Sequence, residues 1–574
     1  MDKIKENWFI SMKKADFKGI GEMFNISPIL ARIIRNRDII EHHDIDLYLN
    51  GTINDLYDGM LLKDMGVAVD ILKEKIQNKE SIRIIGDYDV DGVNSTYILE
   101  EGLRKLGAKV DTDIPDRIAD GYGLNPVLID RALEDNVDTI ITCDNGIAAY
   151  DEIAYGKSMG LTIIVTDHHK VPYIDVGGER EYLMPPADAV VNPYGLGCTY
   201  EFKGLCGAAI AYKVIEALYE VMNENPEDVD YLIENVALAT ICDVMDLINE
   251  NRIFVIQGLE MLRRTKNLGL KALMAINDID PKYISAYHVG YIIGPCLNAS
   301  GRLDTAKKAL KLLNSTTYEE ALGYANELKQ LNENRKEMTA KGVENAISII
   351  ENSSINDHKV LVVYLEDCHE SIAGIIAGRI RERYYKPTFI LTDGEGFVKG
   401  SGRSIDGYHM FDELCKCRAL LIRFGGHRLA AGLSLKRENI DELRNVLNET
   451  CQLTHEDLTE KITIDMELPF QYATIELTEE LKKIEPFGKG NKTPLFAARN
   501  VRISNPGIFG KDENVLRFQA KDQYGTSVDG VYFGEARKCL DYITSKGEVS
   551  ITYYPKINEY MGEVRLQIVM KNYK

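Results

Sequence analysis

The chain lacks an apolar run long enough to cross a bilayer, so no membrane role is expected. Its ten cysteines lack paired metal-type spacing, and only Cys415-Lys416-Cys417 is close-set. That pattern argues against a zinc ribbon or a disulfide framework, and reduced thiols in a cytoplasmic protein are expected. Met1 to Lys18 has no signal-peptide apolar core. Positive charge is also scarce: Lys and Arg number 68 against 89 Asp and Glu, a formal net charge of −21. This excludes a uniformly basic coat for nucleic acid, although a local basic groove stays open. There is no internal repeat and no low-complexity segment.

What the chain has is aspartate in a pattern. The run Ile82 to Ile85, apolar except for Arg83, reads as a buried strand. It empties into Gly86-Asp87-Tyr88-Asp89-Val90-Asp91-Gly92, and a helix follows, about Val93 to Leu106. Open α/β sheets place their ligands at the carboxyl ends of strands. Three carboxylates this close repel unless a cation or protons intervene. A solvated acidic turn is the competing reading. Two further strands weaken it: Asp138 to Cys143 ends in Asp144-Asn145-Gly146, and Leu161 to Thr166 ends in Asp167-His168-His169. Asp188 to Val191 reads as a fourth strand, and a helix near Tyr231 to Cys242 carries Asp243 just past its apolar stripe.

The expected fold class is α/β. Residues 1–60 form a helical lead-in, and 61–316 a mainly parallel-sheet catalytic domain. Residues 317–351 form one long connecting helix, and 352–457 a smaller α/β domain for substrate binding. Residues 458–574 form a C-terminal β-barrel suited to oligonucleotides. Gly400-Ser401-Gly402-Arg403-Ser404 and Gly425-Gly426-His427 read as glycine-rich turns that cradle phosphate. Asp87, Asp89, Asp91, Asp144, His168, His169 and Asp243 together mix carboxylate with imidazole. Mn²⁺ or Mg²⁺ suits such a set better than structural zinc. The donors exceed the needs of one ion, and two ions about 4 Å apart would use them.

These segments resemble the DHH phosphoesterase superfamily, named for the motif seen here as Asp167-His168-His169, and within it the RecJ family of single-strand exonucleases. Gly294 to Leu303, His369 to Ile375, Glu485 to Asn491, Tyr532-Phe533-Gly534 and Tyr554 to Glu559 extend the resemblance over nearly the whole chain. It implies 5′-to-3′ degradation of single-stranded DNA with two Mn²⁺ or Mg²⁺ ions, in repair and recombination. Carried over by position, Asp87, Asp89 and Asp144 surround one ion. Asp91, Asp144, His168 and Asp243 surround the other, with Asp144 bridging. His169 faces the scissile phosphate, and Asn298 and Arg302 hold DNA phosphates. Arg117, Ser401 and Arg403 bind the terminal 5′ phosphate, and His427 lines the DNA path. Cys296 stands where the family has an arginine, which would remove a phosphate contact, and Val515 where the barrel has a histidine. The implied partners are single-stranded DNA, a single-strand-binding protein and a helicase, with the chain a monomer. Two other functions compete: a DHH phosphodiesterase of short oligoribonucleotides or cyclic dinucleotides, and a non-catalytic replication scaffold.

Overall fold

Short β-branched runs come together as five parallel strands: β1 (Ser81–Ile85), β2 (Lys109–Asp113), β3 (Thr139–Cys143), β4 (Thr162–Thr166) and β5 (Ala189–Val191). Their order in the sheet is β2-β1-β3-β4-β5. This is a computed structural model, and it describes residues 6–117, 120–121, 123–394, 396–560 and 562–574. Met1 to Lys5 of the expected lead-in lie outside the described residues.

Both faces of the sheet are covered, which accounts for strands that read as nearly continuous apolar runs. Ile84, Ile141 and Ile164 lie in register across β1, β3 and β4 and join one core. That core includes helices α1 (Val90–Lys105) and α2 (Gly207–Val221). Ile85, Ile140 and Ile163 point to the opposite core. Arg83 is tolerated inside β1 because its guanidinium forks onto Asp111 at 2.7 Å and onto Asp135 at 2.8 Å.

Two further helices close the first lobe, α3 (Ile233–Cys242) and α4 (Asn249–Leu262). Lys213 on α2 and Glu250 on α4 are wholly buried and pair at 2.9 Å. The Lys213 ammonium also donates to the Tyr57 carbonyl at 2.6 Å, and Glu250 accepts from Tyr200 Oη at 2.7 Å. Helix α5 (Gly294–Leu303) runs along the edge of the lobe. The long helix α6 (Tyr318–Glu351) then leads to the second lobe, its first turn capped by the Thr317 hydroxyl.

The second lobe holds β6 (Leu361–Tyr364), helix α7 (Glu370–Tyr384), β7 (Thr388–Asp393), β8 (Val398–Arg403), β9 (Leu421–Gly426) and β10 (Ala430–Leu435). The sheet order is β9-β10-β8-β7-β6. Here the sequence reading needs correction. Gly400 to Arg403 and Gly425-Gly426 are not turns; they lie in β8 and β9. In β8 their small size serves packing. A Cβ on Gly400 would meet Leu391 at 2.4 Å, and one on Gly402 would meet Met410 Sδ at 2.5 Å. Alternation along β8 then sends Ser401 and Arg403 to the other face, above α7.

The C-terminal region forms a closed barrel of β11 (Phe496–Phe509), β12 (Val515–Lys521), β13 (Ser527–Phe533), β14 (Glu548–Tyr560) and β15 (Glu563–Tyr573). Closure follows from pairings β11-β12-β13-β15-β14 and back to β11. The lead-in is not purely helical, a second correction: Glu6–Ile10 is a strand, paired in parallel with Glu460–Ile464. Its short helices cannot enclose a core alone. Leu30, Ile33 and Ile34 instead share one with Phe496, Leu516 and Tyr553 of the barrel. Arg252 of α4, 1% exposed, donates to the carbonyls of Tyr48, Ile484 and Lys483, tying first lobe, lead-in and barrel approach together.

Candidate metal centre

The ends of β1, β3 and β4 open on one rim because the strands are parallel and in register. After β1, Asp89 caps α1 by accepting from the backbone N–H of Asp91 and Gly92. Gly92 permits this tight entry, since a Cβ there would lie 2.4 Å from the Asp87 carbonyl oxygen. After β3, Asp144 takes the left-handed conformation at φ 60°, which turns its carboxylate back over the rim. Gly146 follows at φ 110°, where a Cβ would meet Thr142 Oγ1 at 2.4 Å.

Seven donors converge. His168 Nε2 lies 3.0 Å from Asp144, 3.6 Å from Asp91 and 3.8 Å from Asp243. Donor atoms of Asp87, Asp89 and Asp144 lie within 4.8 Å of one another, and so do those of Asp91, His168 and Asp243. Asp144, His168 and His169 form a third such set. Asp144 thus stands at the seam between two triads. Asp91 is further held by backbone N–H groups of Gly207 and Ala208, both at 2.7 Å, at the start of α2. A Cβ on Gly207 would press on Asp144 Cβ at 2.7 Å. Gly207→Val is therefore expected to weaken Mn²⁺ binding more than tenfold by calorimetry, with a normal circular dichroism spectrum.

The donors fit a cation pair. Asp87 Oδ1 is buried with no hydrogen-bond partner. Burial, then the charge of Asp89, pushes Asp87 well above the usual carboxylate range. Burial and four neighbouring aspartates do the same to Asp144. Asp243 is pushed up to about 8 by burial and by Asp91 and Asp89. A group raised in the folded state stabilises fully below its unfolded value, and that stabilisation is lost as pH rises through the folded value. The metal-free protein should therefore lose stability from about pH 4 to pH 8, the span between the ordinary Asp value and that of Asp243. Thermal melts in chelator should show a lower Tm at pH 8.5 than at pH 5.5, and Mn²⁺ should remove the difference.

Asp167 was missed as a working residue, although its motif was in view. It belongs to none of the three donor sets. Its buried carboxylate accepts from the N–H groups of Ile147, His168 and His169 and bonds the His169 ring at 2.8 Å. Burial opposes its ionisation, yet the His169 hydrogen bond holds Asp167 below its ordinary value. Burial likewise opposes the charge on His169, but Asp167, then Asp243 and Asp91, push that ring up to about 9. The backbone donors of Gly207 and Ala208 also escaped sequence reading. The run Cys206-Gly207-Ala208-Ala209, small residues opening a helix, was the available signal.

A cationic cluster flanks the donors. Arg302 on α5 donates to the Ser371 carbonyl at 2.9 Å, linking the lobes. Burial and the charges of Arg117, Arg335 and Arg403 push Arg302 down to about 10. Burial, with Arg117 and Arg381, also lowers Arg403. Neither Arg302 nor Arg403 has a carboxylate within 4.0 Å among the described residues, so neither sits in a surface ion pair. Arg117 lies over the Tyr88 ring at 4.9 Å. Ser401 Oγ and Arg403 lie just above Gly374 of α7, where a Cβ would come within 2.9 Å of both. Asn298 accepts from the Val90 N–H at 3.3 Å. His427 is exposed, and partial burial of its ring, then the charges of His169 and Lys170, lower its affinity for a proton. Cys296 points the other way: it is fully buried and accepts from Asn332 at 3.4 Å, so its thiol occupies a packing position.

Two lobes, a parallel sheet whose rim carries the acids, and arginines at the junction define a DHH phosphoesterase with a C-terminal barrel. Family models agree segment by segment: DHH family, N-terminal domain, over residues 81–241; DHHA1 domain over 357–453; RecJ OB domain over 464–572. Proteins named single-stranded-DNA-specific exonuclease RecJ are similar along nearly all of the chain. That of Bacillus subtilis is 34% identical, covering 99% of this chain and 71% of its own length. That of Haemophilus influenzae is 32% identical, covering 96% and 97%. RecJ from Thermus thermophilus, solved in complex with Mn²⁺, superposes with a TM-score of 0.83 at 25% identity, over 99% of this chain and 80% of that one. The chain belongs to the RecJ family.

Proposed function

We infer that this protein is a divalent-metal-dependent exonuclease that degrades single-stranded DNA from its 5′ end, in DNA repair and recombination. The observation that carries the reading is the convergence of the donor sets around Asp144, with His168 Nε2 3.0 Å from it, beside Arg302 and Arg403, which have no carboxylate within 4.0 Å among the described residues. Asp87, Asp89 and Asp144 would hold one Mn²⁺ or Mg²⁺, and Asp91, Asp144, His168 and Asp243 the other. When bound, such a pair supplies the positive charge that stabilises the attacking and leaving oxygens of a phosphodiester displacement. Asp167 fixes the His169 ring at 2.8 Å and favours its protonated form, which can donate to a phosphate oxygen. Asn298 and Arg302 hold neighbouring phosphates, and His427 lines the path.

Arg403, Ser401 and Arg117 receive the terminal 5′ phosphate, since the guanidinium fork matches phosphate oxygens. Arg403→Ala should raise KM about tenfold or more for 5′-phosphorylated strands and little for 5′-hydroxyl strands, in steady-state assays of both. A helicase and a single-strand-binding protein are the partners this reading calls for, with the chain a cytoplasmic monomer. The barrel favours long single strands over cyclic dinucleotides as substrate, and the complete donor set speaks against a non-catalytic scaffold.

The test uses oligonucleotides labelled at either end, single- or double-stranded, with Mn²⁺ or chelator. Mononucleotides should leave the 5′ end of single strands only, and only with metal. Cleavage confined to dinucleotides would overturn the reading.

A further inference from the structure

Helix α5 is not the start of its own helical path. A turn at Ala286–His288 and a wider turn at Val289–Ile293 run directly into Gly294. One side of this path is buried: a Cβ on Gly294 would meet Cys242 Sγ at 2.3 Å, next to Asp243, and Gly290 faces Ile241. The same path carries Tyr287, Tyr291, Asn298 and Arg302. Asn298 and Arg302 lie about one turn apart on α5, and Tyr287 and Tyr291 precede them on the same continuous path. The path leads from Arg302, past Gly294 and Gly290 where they pack on Cys242 and Ile241 just before Asp243, to two tyrosines.

Those tyrosines are unusual for a soluble surface. Tyr287 is 62% exposed and Tyr291 69% exposed. Their rings stack on each other, centroids 5.0 Å apart and planes 25° from parallel. The edge of His288 rests against Tyr287, and Ser285 bonds that imidazole at 2.9 Å, which braces the stack. A braced aromatic stack in water offers a flat apolar face. A nucleobase freed from pairing presents such a face, whereas in a duplex the bases keep theirs inside the helix.

We propose that Tyr287 and Tyr291 form a base-stacking platform for the single-stranded substrate, seating nucleotides on the strand beyond the phosphates held by Asn298 and Arg302. This rests on the functional reading above and adds to it a residue-level source of single-strand preference. Lobe geometry excludes a duplex by size; the platform excludes it by withholding affinity.

The test measures binding in chelator, apart from turnover. The probe is a single-stranded oligonucleotide carrying 2-aminopurine, whose fluorescence is quenched on stacking. Against the wild-type full chain, the Tyr287→Ala/Tyr291→Ala variant should bind about tenfold more weakly, a change of the size expected for lost base stacking. It should lose the quenching and keep its thermal melt. Tyr287→Phe/Tyr291→Phe should restore both binding and quenching, since the ring and not the hydroxyl stacks. Wild-type protein should bind a strand with abasic sites as weakly as the alanine variant binds the intact strand. Unchanged affinity and quenching in the alanine variant, or equal affinity of wild type for intact and abasic strands, overturns the platform. If wild type binds in this tyrosine-dependent way yet never degrades DNA, the functional reading fails and the platform stands.

Discussion

Asp144→Asn should lower turnover of single-stranded DNA by more than about a thousandfold while the metal-free fold becomes no less stable. Asp144 belongs to the set with Asp87 and Asp89 and also to the set with His168 and His169, and His168 is in turn a donor of the Asp91-Asp243 set, so loss of Asp144 is expected to weaken both halves of the centre. An amide of the same shape keeps the packing against Gly207. It also removes a buried carboxylate that four neighbouring aspartates repel, and for which burial already disfavours charge. Tm in chelator should therefore stay level or rise. The contrast appears on adding Mn²⁺. Saturating ion at a hundred times its dissociation constant stabilises the wild type by about 2.7 kcal/mol, and the variant should lose most of that gain. Differential scanning fluorimetry across a Mn²⁺ titration, beside the nuclease assay, reads both effects. A variant with lost activity, a lower chelator Tm and intact Mn²⁺ stabilisation would place Asp144 outside the metal centre.

Lys213→Ala should be the most damaging single change away from the donors, at about 3–5 kcal/mol. It leaves the buried Glu250 carboxylate with Tyr200 Oη and the Tyr57 N–H as its remaining partners among the described residues. It also frees the Tyr57 carbonyl that the ammonium capped, and empties the space between the Tyr200 and Phe254 rings. A fall in Tm of roughly 10 °C is expected for a lobe of this size. Lys213→Met combined with Glu250→Gln should recover part of it, because neither buried charge then lacks a partner. Urea melts of wild type, Lys213→Met, Glu250→Gln and the double variant give the coupling between the two positions.

The donor set was legible because strand period and strand ends are written locally. Ile84, Ile141 and Ile164 announce buried parallel strands, and the acids after them could only meet at one rim. The glycines of β8 misled because a glycine in sequence signals freedom, while Gly400 and Gly402 signal the lack of room beside Leu391 and Met410; in β9, Gly426 does use that freedom, at φ 148°. Asp167 was hidden by its own neighbours: three polar residues in a row do not reveal which one turns inward to hold the next. The N-terminal strand was invisible because its partner lies far along the chain, and pairing at such distance leaves no local pattern. The tyrosines of the helix before Gly294 look like ordinary core aromatics until their exposure is known.

That remote pairing has a consequence for how the protein is made. Asn36 bonds Asp465, 429 positions later, and the apolar side chains of Leu30, Ile33 and Ile34 find cover only when the barrel exists. At a synthesis rate of about 5–20 residues per second, the leading helices emerge from the ribosome and wait on the order of a minute for their counterpart. Throughout that interval they expose sticky surface, so nascent chains should recruit holding chaperones early and release them only once the last strands have been translated.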